Sequence, residues 1–89
     1  MQNKKATVNN TLGLHARPAA KLVEMARQLC SEIEVGYTPS NMCNAQSILE
    51  LLKLQAVKGT TLFVSAQGTD EKKAIKDICE LINSGFGED

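Results

Sequence analysis

Tryptophan is absent from this 89-residue chain, and two phenylalanines and one tyrosine are its whole aromatic complement. A surface on which nucleobases stack is therefore not expected. Neither charge sign is in excess, since ten Lys and Arg balance ten Asp and Glu, so no net field draws the chain to nucleic acid. No apolar run approaches the roughly 20 residues that cross a bilayer. The start, Met1 to Lys5, is polar with no apolar segment behind it, unlike a secretory leader. These absences point to a cytoplasmic protein with neither nucleic acid nor membrane as partner. Histidine occurs once, at His15, so no second imidazole is available to activate a thiolate. Cys30, Cys43 and Cys79 are odd in number and far apart. They have neither the paired spacing of a zinc site nor the density of a disulfide framework, and read as reduced, packed thiols.

What is present suffices for one compact unit. Hydrophobic residues make up 43% and charged residues 22%, an ordinary globular balance, and a chain of this length forms a single domain, residues 1–89, with little room for a buried cavity beside its core. Repeats, linkers and low-complexity stretches are lacking.

Hydrophobic spacing orders the elements. Ala6 to Val8 suits a short first strand ending at Asn9 and Asn10. Leu22, Val23, Ala26 and Leu29 recur on one helical face. Pro18 fits the opening turn of that helix, which starts between His15 and Pro18, because its missing N–H has no intrahelical partner there. Ile33 and Val35 alternate with Glu32 and Glu34, giving a strand. A turn at Thr38 to Asn41 and a weak second arm at Met42 to Ala45 follow. Ser47 to Gln55 reads as a short helix, Ser47 and Glu50 being spaced as a capping box. Leu62, Val64 and Ala66 give the clearest strand. The last helix is capped by Thr69 or Asp70, presents Ala74, Ile75, Ile78, Leu81 and Ile82, and stops at Gly85, after which Phe86 is placed to pack on Leu81. The order, strand–helix–strand–strand–helix–strand–helix, suits an α+β fold with an antiparallel sheet and helices on one face.

The chemistry concentrates at Gly13 to Pro18, where a loop carrying His15 runs into a helix start. Unpaired N–H groups and a partial positive charge there favour an anion, and a guanidinium at Arg17 adds a fork of donors for phosphate oxygens. Histidine as a residue type suits phosphoryl carriage: near neutral pH much of it holds a free nitrogen lone pair, and a phosphorylated imidazole is also a good leaving group. By spacing alone the same residues are more often just a polar helix entry.

The segment GLHARPAA, Gly13 to Ala20, resembles the active-site segment of HPr, the histidine-containing phosphocarrier family of the bacterial phosphotransferase system. The resemblance continues through QSILELLKLQAVKG at Gln46 to Gly59 and VSAQGTDEKKAI at Val64 to Ile75, covering nearly the whole chain in order. It implies an HPr-like open-faced β-sandwich, four antiparallel strands with three helices on one face (βαββαβα). It further implies that enzyme I phosphorylates His15 on Nδ1 with a group drawn from phosphoenolpyruvate, that Arg17 and the helix start at Ala16, Arg17 and Pro18 hold the phosphate, and that an enzyme IIA accepts it. Such a chain is a carrier and not an enzyme in its own right, is expected to be a monomer, and needs no cofactor or metal. The ending LINSGFGED and the extended turn at Thr38 to Met42 look like the nitrogen-related NPr group. The alternatives are a carbon-branch HPr serving sugar transport, or a binding module of the same fold that carries no phosphate.

Ser47 matches the serine that an HPr kinase/phosphorylase modifies in many of these proteins, yet as a helix cap it needs no kinase to explain it. The helix after it holds Ile48, Leu49, Leu51, Leu52 and Leu54, more apolar positions than one buried stripe requires. The resemblance assigns Ala20, Ile48, Leu49 and Leu52 to partner docking; the plainer alternative buries all five apolar side chains of the short helix.

Overall fold

Strand and helix periodicities alternate along the chain, and in a computed structural model, which describes residues 1–88, they assemble as two layers. Asp89, the end of the tail segment quoted above, lies outside the described residues. The elements are β1 (Gln2–Thr7), α1 (Ala16–Gln28), β2 (Glu32–Thr38), β3 (Asn41–Asn44), α2 (Ile48–Lys53), β4 (Thr61–Gln67), α3 (Glu71–Asn83) and a final 3₁₀ turn at Gly85–Gly87. The sheet runs β1-β4-β2-β3 with every pair antiparallel. This is the α+β open-faced sandwich expected, with four strands and three helices.

Side-chain alternation places the core. Ala6, Ile33, Val35, Leu62, Val64 and Ala66 point from the strands to one face and are buried against Leu22, Val23 and Ala26 of α1, Leu51 of α2 and Ala74, Ile75, Ile78 and Ile82 of α3. The opposite face carries longer polar chains; on it the Lys5 ammonium lies 5.1 Å from the centre of its cross-strand neighbour, the Phe63 ring, a favourable cation–π placement.

Several boundaries differ from the sequence reading. The first strand begins at Gln2, because polar Gln2 to Lys5 pair with Phe63 to Ala66 through their backbones whatever their side chains. Val8 falls just beyond it yet keeps ladder-like bonds, donating to Thr60 O at 2.8 Å and accepting from Gly59 N at 2.7 Å. The β2–β3 hairpin carries a bulge between Gly36 and Thr38, which frees Tyr37 to donate its hydroxyl proton to Leu54 O. Helix α2 stops at Lys53 because Gln55 takes a left-handed φ of 50°, turning Ala56 O toward the N–H of Leu14 at 2.8 Å.

Capping also departs from expectation. Ser47 Oγ accepts from Glu50 N at 3.3 Å, but the Glu50 carboxylate reaches past Ser47 to Asn44 N at 3.1 Å, since Ser47 N already donates to Asn44 O. Asp70 occupies the α3 cap position without using its side chain there. Its carboxylate accepts from Cys30 N at 2.8 Å and from Ser31 Oγ, fastening the α1–β2 loop instead. On α3 it is Cys79 that is buried, while Leu81 is only partly so. The reading of three packed thiols fails for Cys30, which is exposed in that loop.

Candidate functional site

Helix α1 begins where its first apolar stripe begins, and His15 is its N-cap residue, with extended backbone angles and no side-chain cap bond. The loop before it is closed tightly. Gly13 sits at φ +71°, where a Cβ would lie 2.4 Å from Ala56 O, so only glycine lets this loop lie against the chain leaving α2. His15 N donates to Gly13 O at 3.0 Å, and His15 O accepts from Ala19 N at 3.0 Å, the first bond of the helix.

The first-turn N–H groups that precede that bond belong to Ala16 and Arg17, because Pro18, buried at the third helical position, has none. Within the expected region Ala16 to Pro18 the backbone donors are therefore those of Ala16 and Arg17, with Pro18 contributing its fixed φ. Ala16 and Arg17 are both exposed. Together with Leu12, His15, Lys21 and Glu88 they line a shallow cavity of about 700 Å³. Toward an anion this lining presents two N–H groups, the helix dipole and the cationic side chains of Arg17 and Lys21, set against the Glu88 carboxylate.

Glu88 was not expected at this site. After α3 the chain passes through three successive left-handed residues, Gly85 (φ 74°), Phe86 (φ 59°) and Gly87 (φ 75°). For a non-glycine residue such a conformation costs roughly 1–2 kcal/mol. Burying the Phe86 side chain, which is 1% exposed, gives back about 1.5–3 kcal/mol, so the turn holds. Lys21 Nζ clamps it by donating to Phe86 O at 2.7 Å. Glu88 is thereby brought back to the loop, where its Oε1 accepts from His15 Nε2 at 3.2 Å and from Asn10 Nδ2 at 3.0 Å. Partial burial alone would raise the Glu88 pKa; the bonds from His15 and Asn10 and the nearby charges of His15 and Lys21 outweigh it and hold the carboxyl below its ordinary value. Asn10 Nδ2 also donates to Gly13 O at 2.7 Å, while Asn10 Oδ1 is buried without a partner among the described residues.

Ser47 lies elsewhere. Gln46 O accepts from the Arg27 guanidinium and Gln46 Nε2 donates to Ala26 O, each at 3.4 Å, so α2 enters beside the far end of α1 and leaves beside Gly13. Ser47 therefore lies toward the C-terminal end of α1 and not at its start beside His15. Of the apolar side chains on α2, Leu51 is buried and Leu52 and Leu54 pack partly into the core, while Ile48 (39%) and Leu49 (73%) are exposed. Ala20 is exposed on α1. Two further apolar side chains flank the loop, Leu12 (73% exposed) and Val57 (65%). Sequence reasoning missed both; their only signal is that each neighbours a glycine-bound turn.

Residues 2–84 match the family described as "PTS HPr component phosphorylation site". The chain belongs to the HPr family, the phosphocarriers of the phosphotransferase system. It is 40% identical to phosphocarrier protein HPr of Pseudomonas aeruginosa over 92% of this chain and 91% of that one. It is 38% identical to phosphocarrier protein NPr of Escherichia coli over the same shares. Among solved structures it is similar to HPr-C-His from Thermoanaerobacter tengcongensis, with 39% identity and a TM-score of 0.91 over 100% of this chain and 99% of that one. The relatives named HPr and NPr are phosphocarriers, and no helix among the described residues is long and apolar enough to cross a membrane.

Proposed function

We propose that this chain accepts a phosphoryl group from enzyme I on Nδ1 of His15 and passes it to an enzyme IIA of the nitrogen-related branch, as a cytoplasmic monomer. The observation that carries the reading is the position of His15: the N-cap of α1, lining one cavity with Arg17 and with the N–H groups of Ala16 and Arg17 at its edge. A phosphoryl group on the ring would meet backbone donors, and the Arg17 fork would neutralise charge as the group moves between proteins. The bond from Nε2 to Glu88 leaves Nδ1 as the ring nitrogen with a lone pair, which supports Nδ1 as the acceptor atom.

Exposed Ala20, Ile48 and Leu49, with the outer edge of Leu52, are the apolar side chains that such partners would meet. Phosphorylation of Ser47 by an HPr kinase/phosphorylase would add charge to that surface and not to the His15 cavity, given its place at the far end of α1.

Incubation with enzyme I and labelled phosphoenolpyruvate tests the reading. The label is expected to be acid-labile, alkali-stable and absent in His15→Ala, and to appear more slowly in Arg17→Ala; no label on the unaltered protein would sink it. A carbon-branch role remains the second reading, because relatives named HPr and NPr match almost equally, at 40% and 38% identity. Competing enzyme IIA proteins from the two branches would separate them by which drains the label faster.

A further inference from the structure

We propose that Glu88 is a positioning residue for His15: its carboxylate holds the ring Nε2–H, so that Nδ1 keeps its lone pair and the charge that the ring acquires on phosphorylation is compensated. The proposal rests on the reading of His15 as phosphoryl acceptor.

A carboxylate is an acceptor only, so the 3.2 Å contact with Nε2 requires the proton to be on that nitrogen. In a neutral imidazole the other nitrogen then bears the lone pair. Glu88 is not a freely moving side chain that happens to lie near. Asn10 Nδ2 grips the same oxygen at 3.0 Å while donating to Gly13 O at 2.7 Å, and Glu88 N donates to Gly85 O at 2.9 Å. Lys21 fixes the turn from the other side through Phe86 O, and the Phe86 ring anchors it in the core. One asparagine thus sets the acceptor and the backbone of the loop that carries the ring, which fixes their separation. This is the arrangement in which a carboxylate behind an imidazole selects its tautomer and steadies its cationic form.

The step balances without a proton leaving His15. The Nδ1 lone pair forms the N–P bond, and the bond from phosphorus to the phosphorylated donor breaks with its electron pair staying on the donor. The ring becomes a phosphoimidazolium that retains its Nε2 proton. That proton faces Glu88, on the opposite edge of the ring from the new bond, so the carboxylate opposes the charge without occupying the phosphate's place. Reversal is equally served, because a phosphoimidazolium leaves as a neutral ring. Among the described residues the charged groups that share this cavity with His15 and Glu88 are Lys21, whose charge acts on Glu88, and Arg17; both are cationic, and neither accepts a proton from Nε2.

The test uses the full chain, ¹⁵N-labelled and unphosphorylated, with Glu88→Ala and Glu88→Gln beside it. Ring ¹H–¹⁵N correlations at a pH where His15 is neutral should show a protonated Nε2 in the unaltered protein, with its Hε2 protected from solvent exchange. Glu88→Ala should lose that protection at least about ten-fold, and Glu88→Gln, which keeps an acceptor oxygen without the charge, should largely restore it. In the enzyme I assay Glu88→Ala should accept label several-fold more slowly, and Glu88→Gln should lie between it and the unaltered protein. Equal Hε2 exchange in all three proteins, or equal labelling rates in all three, would overturn the proposal. Absence of label on the unaltered protein would remove the carrier reading, and the exchange measurement would still decide whether Glu88 holds the ring.

Discussion

The Lys21 ammonium donates to the backbone carbonyl of Phe86 across 2.7 Å, tying the second turn of α1 to the left-handed turn that follows α3. Two distant parts of the chain, the entry helix and the tail, therefore act as one body around His15.

Phe86 should be the anchor of that body. Its side chain is buried while its backbone sits at φ 59°, so Phe86→Ala keeps the strained turn and removes what holds it. A loss of about 3–5 kcal/mol is expected from the cavity and the lost burial. Urea denaturation monitored by circular dichroism measures it; a loss below 1 kcal/mol would mean that the tail is not docked.

Gly13→Ala should cost both stability and carriage. The added Cβ would lie 2.4 Å from Ala56 O and 3.0 Å from Val57 Cα, at a φ that side chains rarely adopt. The loop must then move away from the chain after α2 and carry His15 with it. A lower Tm and labelling by enzyme I slower by on the order of 10- to 100-fold are expected, and an unchanged labelling rate would show that the loop tolerates the shift.

Asp70 predicts an acid sensitivity. Bonds from the Ser31 hydroxyl and the Cys30 N–H hold its carboxyl below the usual aspartate range. A carboxyl depressed in the folded state stabilises the fold above its unfolded-state pKa and loses that contribution as pH falls through the folded-state value. The Tm difference between the unaltered protein and Asp70→Asn should be steady near neutral pH and shrink on acidification below the ordinary aspartate pKa. A pH-independent difference would argue against the ionised carboxylate as its source.

Ser47→Ala should lower stability by about 1 kcal/mol through loss of the cap to Glu50 N. Labelling of His15 should be unaffected at saturating enzyme I, given the length of α1 between the two residues. A slowed saturated rate would show that the α2 entry reaches the phosphate site by a route other than contact.

How much of this was legible in the sequence follows from the range of the interactions involved. Periodicity over Leu22 to Ala26 and Leu62 to Ala66 reports local burial, and both elements form where the pattern lies. The boundaries that moved were decided by partners far along the chain: Gln2 to Lys5 are strand because β4 offers them a ladder, and α2 is short because Ala56 O is required by Leu14. Asp70 looked like a cap and serves Cys30 and Ser31 forty residues away, a use that no spacing rule encodes. At the site, His15, Ala16 and Arg17 are contiguous and were visible together. Glu88 and Asn10 were not, because their meeting depends on three consecutive left-handed residues. The run Gly85–Phe86–Gly87 was the available hint: an apolar side chain between two glycines implies a turn pinned to the core, and whatever follows it is held close.

Pro18 leaves a gap in the first turn of α1 where another residue would present an N–H. Three backbone hands would grasp an anion firmly; two, with a guanidinium on a flexible stem, grasp it loosely. In the carrier role proposed above a tight hold would be a trap, and a helix start short of one donor suits a cargo that has to leave.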